Sequence, residues 1–544
     1  MIKNRKIQHI IPCLLAIIPI VLHFVVLNSQ SMNFPFEDDH RVFMDFFYNY
    51  INASGFREKL VVLMTPDNES RPFLIRLSML IPMGIFNRID FGIILYFVNF
   101  YTFVLVLVFY KKYKHLPVFL VLLSFLLLSH CNWEMFFRND VASYQLATVS
   151  FSLVLFYLIS KKKPLVSTNS NTLFYICLFI VPFGSALGFM TVFLVLLYAF
   201  FRKRHPHSYI ILAVFLLQLV IYLSSGVGGS SSINLFDNLL KYNIELLWGF
   251  CIAVGGQFRL VNNDFGFLVL GILGFVTFIF STYLLLKNWK VETYDFEKLI
   301  FFFGAASLGI IVVSRYNYWI VGYESVLGSR YKIYGILIFL AGVSFIFQNQ
   351  SFKKIQWGLS ILFIVFYIGW YLKSSDYLIL KNETLMMDAY NLENGMVNNE
   401  RQTVAYEAKY KYDYLKKNEY FNANNLYQTV LEKVKNGVII LPKTAVLTQV
   451  AFDPAFESDW GGKESRLYKI SLMGDFPPSA NYFIRLTGAN NQSIILNGLK
   501  KPMSFVKRIF IKKEPIDYLS KEFEMGYFKL QKPLRCEVIC VGAI

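Results

Sequence analysis

Long apolar runs alternate with short, mostly basic connections over the first 373 residues. The runs fall at about residues 8–28, 91–110, 116–129, 141–160, 172–201, 208–225, 264–287, 297–313, 331–347 and 355–373. Many reach the length at which a helix, rising about 1.5 Å per residue, crosses hydrocarbon while satisfying its own backbone. The run at 172–201 is too long for one crossing, and "VPFGS" interrupts it. Pro182 and Gly184 therefore predict two short helices with a turn between them. The pattern predicts an all-α polytopic membrane protein of about eleven transmembrane helices.

Two connections are long. Residues 29–90 contain "HRVFMDFFYNYI" and "RPFLIRLSMLIPMGIF", both with apolar residues at i, i+3, i+4 spacing, which predicts helices lying in the membrane interface. Residues 226–263 open in flexible Gly/Ser sequence and continue with "LLKYNIELLWGF", a third interfacial helix by the same criterion. After residue 373 the hydropathy drops to that of a soluble domain. The stretch from "ETLMMDAYNL" to "YDYLKK" reads as helix, whereas "YFIRLTGANNQSIILNG" and "RCEVICVGAI" have the alternation and β-branched content of strands. Two domains are expected: a transmembrane domain over 1–373 and a soluble α+β domain over 374–544.

Charge sets the orientation. Of 544 residues, 55% are hydrophobic and 16% charged, with a net charge of +17. Much of the excess sits in "KNRK", "KKYKH" at 111–115, "KKK" at 161–163, "RKRHPH" at 202–207, "KNWK" at 287–290 and "KK" at 353–354. Such clusters between spans report topology rather than a phosphate-binding face, and no nucleic-acid motif is present, so nucleic acid is excluded as a partner. With two spans across 172–201, every cluster falls on one side. The N-terminus is then cytoplasmic, the first run is a retained span rather than a cleaved signal, and the C-terminal domain is extracytoplasmic. Cys13, Cys131, Cys177, Cys251, Cys536 and Cys540 show no metal-ligand spacing and read as free thiols, with a Cys131–Cys251 bridge as the alternative.

On this topology the chemistry-bearing side chains gather on the outer face. Glu37, Asp38, Asp39 and His40 follow the first span, in "NFPFEDDHRVF". They read either as a polar stop that ends the span or as a catalytic site, in which Asp38 or Asp39 acts as general base on an acceptor hydroxyl. Adjacent acids raise one another's pKa, which tunes such a base toward neutral pH. The same oxygens suit a divalent cation, magnesium or manganese. Arg315, Arg330 and Lys332 stand at the ends of late spans, where cations either snorkel or hold a phosphate, with Tyr331 as hydrogen-bond partner of Arg330. Glu69, Arg71 and Arg76 are either ion pairs within the loop or substrate ligands. Trp133, Glu134, Arg138 and Asp140 form a further outer cluster suited to a sugar, the competing reading of Trp133 being interfacial anchoring.

The chain resembles the GT-C superfamily of integral-membrane glycosyltransferases. An acidic doublet in a long first outer loop is that superfamily's hallmark. It also resembles a group of bacterial multi-pass proteins of that class through "NESRPFLIRL", "ELLWGF" and "GSRYKIY", over about residues 8–373. The resemblance implies transfer of a sugar from a polyprenyl-phosphate donor to a glycan, lipid or protein acceptor at the outer face of a bacterial inner membrane. A separate physical argument agrees: the chain has no nucleotide-binding domain, so sugar used outside must arrive already activated on a lipid. A polysaccharide polymerase or ligase is the nearer alternative. A lipid or sugar transporter or flippase is the other, and it calls for ionisable residues or broken helices near the midplane.

Overall fold

The computed structural model describes residues 2–36, 39–66, 72–161, 168–202, 205–223, 240–259, 264–316, 323, 327–394, 405–449, 466–476, 481–488, 493–498, 516–525 and 535–541. Helix dominates. Among the described residues eight helices are long and apolar enough to cross a membrane. These are α1 (Ile10–Gln30), α2 (Phe91–Tyr113), α3 (Pro117–Phe137), α4 (Asn139–Ile159), α5 (Asp264–Lys287), α6 (Glu292–Ser314), α7 (Ser329–Gln348) and α8 (Lys353–Glu393). Shorter apolar helices cover Phe73–Phe86, Ser170–Phe183, Leu187–Phe201 and His207–Tyr222. The number and composition of these helices are consistent with a polytopic membrane protein. α5 shows how these helices suit an apolar surrounding: Phe265, Leu268, Ile272, Phe275 and Val276 all stand exposed along it.

The chain divides into two compact units. The first comprises Met1–Ser29, Leu63–Met79 and Leu95–Tyr371; the second comprises Gln30–Val62, Leu80–Ile94 and Leu372–Ile544. The second unit thus takes in two stretches of the first long loop as well as the C-terminal tail.

In the first unit, the 172–201 run breaks where Pro182 and Gly184 predict. A helix over Thr168–Ile180 ends in the turn Val181–Phe183, and the next helix begins at Leu187. Gly188 makes the fold-back feasible, because a Cβ there would lie 2.2 Å from the Val181 carbonyl oxygen. The helix Asn243–Gly255 makes a contact that its sequence does not announce. Instead of only an exposed amphipathic surface, it packs backbone to backbone along α5: a Cβ on Gly274 would sit 1.8 Å from the Cys251 oxygen, and one on Gly255 2.1 Å from the Leu270 oxygen. Small residues at such a contact let two helices approach closely, and that approach drives helix association where no hydrophobic effect operates.

In the second unit, a four-stranded antiparallel sheet has the order β1-β7-β4-β5 (β1 Val438–Ile440, β4 Asn481–Thr487, β5 Ser493–Gly498, β7 Arg535–Val541). A second antiparallel sheet has the order β2-β3-β6 (β2 Thr444–Gln449, β3 Arg466–Phe476, β6 Ile516–Met525). Met386 and Met387 of α8, Val430 and Val434 of the helix Asn424–Asn436, and Phe483, Ile495 and Ile539 of the first sheet form one core. The Asn391 side chain fixes this packing by pairing with both backbone groups of Ile495, at 2.8 and 2.9 Å. The loop stretches join the same unit through Phe91, whose ring lies 6.3 Å from Phe43 and 5.7 Å from Phe421, and through the Ile89 N–H, which donates to the Tyr420 carbonyl at 2.7 Å. α8 does not stop at residue 373 but continues to Glu393, 41 residues in all. All six cysteines are free, so the Cys131–Cys251 bridge is absent; both thiols are buried.

Candidate functional site

The helix bundle of the first unit has two chemically different ends. At one end, buried acids are matched to cations. Asp295 at the start of α6 receives Arg202 at 2.6 Å, Lys298 at 2.8 Å and the Tyr198 hydroxyl at 2.7 Å. The fully buried Glu297 accepts the Tyr113 hydroxyl at 2.9 Å and lies 3.3 Å from Lys112. These pairs bring the basic clusters that follow α2 and Leu187–Phe201 to the same end of the bundle. That is the placement a broken 172–201 run requires.

At the opposite end of α6, about 30 Å away along its axis, the charge balance differs. Arg315 follows the helix, and the turn Ser329–Tyr331 opens α7. The guanidinium carbons of Arg315 and Arg330 lie 5.2 and 5.1 Å from the centroid of the same buried ring, Tyr331. Among the described residues no carboxylate lies within ion-pairing distance of either guanidinium. Tyr331 was expected to hydrogen-bond Arg330; it holds both arginines through its ring face instead, a cation–π arrangement. Lys332, the next residue, is buried with its ammonium 3.9 Å from the Trp370 ring.

Glu134 completes this end. Its carboxylate accepts the Arg330 backbone N–H at 3.2 Å, and its own N–H donates to the Ser329 hydroxyl at 3.1 Å. An acid at a helix N-terminus satisfies an orphan donor and the helix dipole, so Glu134 acts here as a cap of α7. Arg138 forms a two-pronged pair with Asp140, at 3.1 and 2.8 Å. Trp133 is half-buried beside them. Three turns converge at this end: His130–Asn132, Gly256–Phe258 and Ser329–Tyr331.

The remaining candidates divide. Arg76 is buried and its guanidinium donates to the carbonyls of Leu63 and Thr65, at the C-terminal end of the helix Phe56–Met64. It serves as a helix-end clamp. Asp39 belongs to the second unit and is fully buried. Its carboxylate accepts the Phe36 N–H at 3.0 Å while its own N–H donates to the Phe36 carbonyl at 3.0 Å. This is the reciprocal half of a capping box, which favours the polar-stop reading for Asp39. Glu37, Asp38, Glu69 and Arg71 lie outside the described residues, as does the side chain of His40. Among the described residues no three His, Cys, Asp or Glu side chains come together as a metal site.

The cation end also contains groups that sequence reasoning passed over. His130, Asn132 and Gln257 lie in the converging turns and are buried. Their signal in the sequence was slight: "HCN" follows directly on the 116–129 run, and Gln257 stands between glycines and an aromatic in "GGQFR". Comparison with protein-family models, with curated proteins and with solved structures returns no match.

Proposed function

We propose that the protein is a membrane glycosyltransferase of GT-C type, transferring a sugar from a polyprenyl-phosphate donor to a glycan, lipid or protein acceptor at the outer face of a bacterial inner membrane. The observation that carries this reading is the Arg315–Arg330 pair on Tyr331, with no carboxylate partner among the described residues. Two cations held this close, at the end of a bundle of apolar helices, form a receptor for an anion that travels in the membrane. A lipid phosphate meets that description.

In this reading about eleven spans cross the membrane, with the N-terminus cytoplasmic and the C-terminal domain outside. The acceptor hydroxyl attacks the anomeric carbon, and the bond from that carbon to the phosphate oxygen breaks. The electron pair leaves with the phosphate, whose growing charge Arg315 and Arg330 stabilise. The hydroxyl proton passes to a carboxylate. Asp38 takes that role, because the Asp39 carboxylate is already engaged by the Phe36 N–H. Were the reaction to use a magnesium or manganese ion, Asp38 and Asp39 would be the residues to hold it through their oxygens.

The test is transfer of labelled sugar from an undecaprenyl-phosphate donor in membranes that supply the acceptors. Arg315→Ala and Arg330→Ala should each lower the rate about 10²-fold, the usual cost of losing one group that stabilises transition-state charge. Asp38→Asn should abolish transfer. Full activity in Asp38→Asn and Asp39→Asn together removes the proposed base, and full activity in both arginine variants removes the phosphate site.

A further inference from the structure

Three elements meet on one turn of α8. The His130 ring lies 5.0 Å from Tyr371 and 6.1 Å from Tyr367, centroid to centroid. The Gln257 carbonyl accepts the indole N–H of Trp370 at 3.2 Å, and the Lys332 ammonium lies over the same indole. The Gln257 side chain runs on to α7, where a Cβ on Gly335 would lie 2.9 Å from its Oε1. His130, Asn132 and Gln257 are 1%, 0% and 2% exposed. Both ring nitrogens of His130, and the amide oxygen and nitrogen of both Asn132 and Gln257, have no hydrogen-bond partner among the described residues.

Six orphaned polar atoms in one neighbourhood are not a packed core, since buried polar atoms are overwhelmingly paired. Nor do they suit an ion. Each amide, and a neutral imidazole, offers one donor side and one acceptor side without charge. A hydroxyl-rich, uncharged ligand has the complementary inventory. The site also directly adjoins the arginine pair, because Arg330, Tyr331 and Lys332 are consecutive and the turn His130–Asn132 packs on Ser329–Tyr331.

We propose that His130, Asn132 and Gln257 bind the sugar ring of the donor, hydrogen-bonding its hydroxyls while Arg315 and Arg330 hold its phosphate. This rests on the phosphate reading above and adds the source of sugar selectivity. The selected sugar is neutral: the three side chains give an ammonium or carboxylate substituent no counter-charge.

The test is binding of bare undecaprenyl phosphate, and of undecaprenyl-phosphoryl glucose, mannose, galactose and arabinose, to the full chain in nanodiscs. At least one phosphosugar should bind about tenfold more tightly than the bare phosphate, the equivalent of one or two net hydrogen bonds. Asn132→Leu and Gln257→Met should each erase most of that advantage and leave bare-phosphate affinity unchanged. Both should also raise the melting temperature, because an apolar side chain replaces an unpaired amide. Arg330→Ala should weaken bare phosphate and phosphosugar alike. Wild-type protein that binds the phosphate but prefers no phosphosugar overturns the sugar site alone. Wild-type protein that binds neither overturns the phosphate reading and this one with it. A melting temperature that falls in both amide variants shows that the amides serve the fold, and also overturns the proposal.

Discussion

Tyr331 is the residue on which the cation end depends, and its two functions can be separated. The ring holds two guanidiniums; the hydroxyl is not what engages them. Tyr331→Phe should therefore keep transfer within about threefold of wild type, whereas Tyr331→Leu, which removes the π-face, should cost roughly tenfold or more in transfer rate. Arg330→Lys should not rescue, because an ammonium lacks the planar fork that stacks and binds phosphate with two donors at once. Backbone conformation gives a second residue-scale expectation. Glu419 closes the helix Ala405–Lys417 with φ of 62°, while its N–H donates to the Lys416 carbonyl and the Tyr420 N–H donates to the Leu415 carbonyl. This is a Schellman cap with glutamate at the left-handed position that glycine prefers. Glu419→Gly should stabilise by about 1 kcal/mol, read as a rise of a few degrees in the melting of the purified protein. Nothing in the sequence exposed this residue, since a left-handed glutamate has no compositional signature. Asp39 is the converse case: its acid is plain in the sequence, but the hydrogen bond it accepts from the Phe36 N–H is not.

Among the elements, the contact between Asn243–Gly255 and α5 is set by glycine rather than by apolar bulk. Gly274→Leu should block assembly, since its first carbon already overlaps the Cys251 carbonyl. Gly309→Ala is the matched control: nothing lies within 4 Å of its added carbon, and alanine favours the helix by roughly 0.5–1 kcal/mol. Yield of folded protein in detergent should fall sharply for the first and hold or rise for the second. Asp295 is the other element-scale lock, joining the end of Leu187–Phe201 to the start of α6. Asp295→Ala leaves the buried Lys298 without its acid and Arg202 with Glu292 alone, and should cost about 3–5 kcal/mol, the usual penalty for breaking a buried pair. The apolar runs and the break at Pro182 were legible because length and proline act locally. The close packing of the helix at 243–255 on α5 was not legible, because an amphipathic pattern does not say whether the apolar side meets lipid or another backbone. β4, β5 and β7 were legible in their β-branched runs. β3 and β6 were not, because both mix charged and apolar residues, with Lys469 opposite Glu522 and Ile470 opposite Lys521.

At the scale of the whole molecule, the contrast between the two ends of the bundle ties fold to function. One end holds its cations against buried acids; the other displays two arginines on a ring, with no carboxylate within ion-pairing distance of either guanidinium among the described residues. If the chain crosses a membrane, α6 alone fixes these ends on opposite faces, because Asp295 lies at its start and Arg315 follows it. Positive charge collects on the cytoplasmic side of membrane proteins. In the proposed orientation the acid-matched end, which receives Lys112 and Arg202, is the cytoplasmic one, and the arginine pair faces outward. Reporter fusions after Lys114, Lys161, Arg202 and Lys290 should all report the cytoplasm, and fusions after Arg138, Arg259 and Gly328 the outside. The fusion after Arg202 is the decisive one. It shares a side with the fusion after Lys114 only if the stretch from Thr168 to Phe201 crosses twice, as the Arg202–Asp295 and Lys112–Glu297 pairs require. A report from the outside there would contradict those pairs and the orientation built on them. A fusion within residues 37–39 must also report the outside, because a base in the cytoplasm could not serve an acceptor activated on the far face, however well the arginines hold the phosphate.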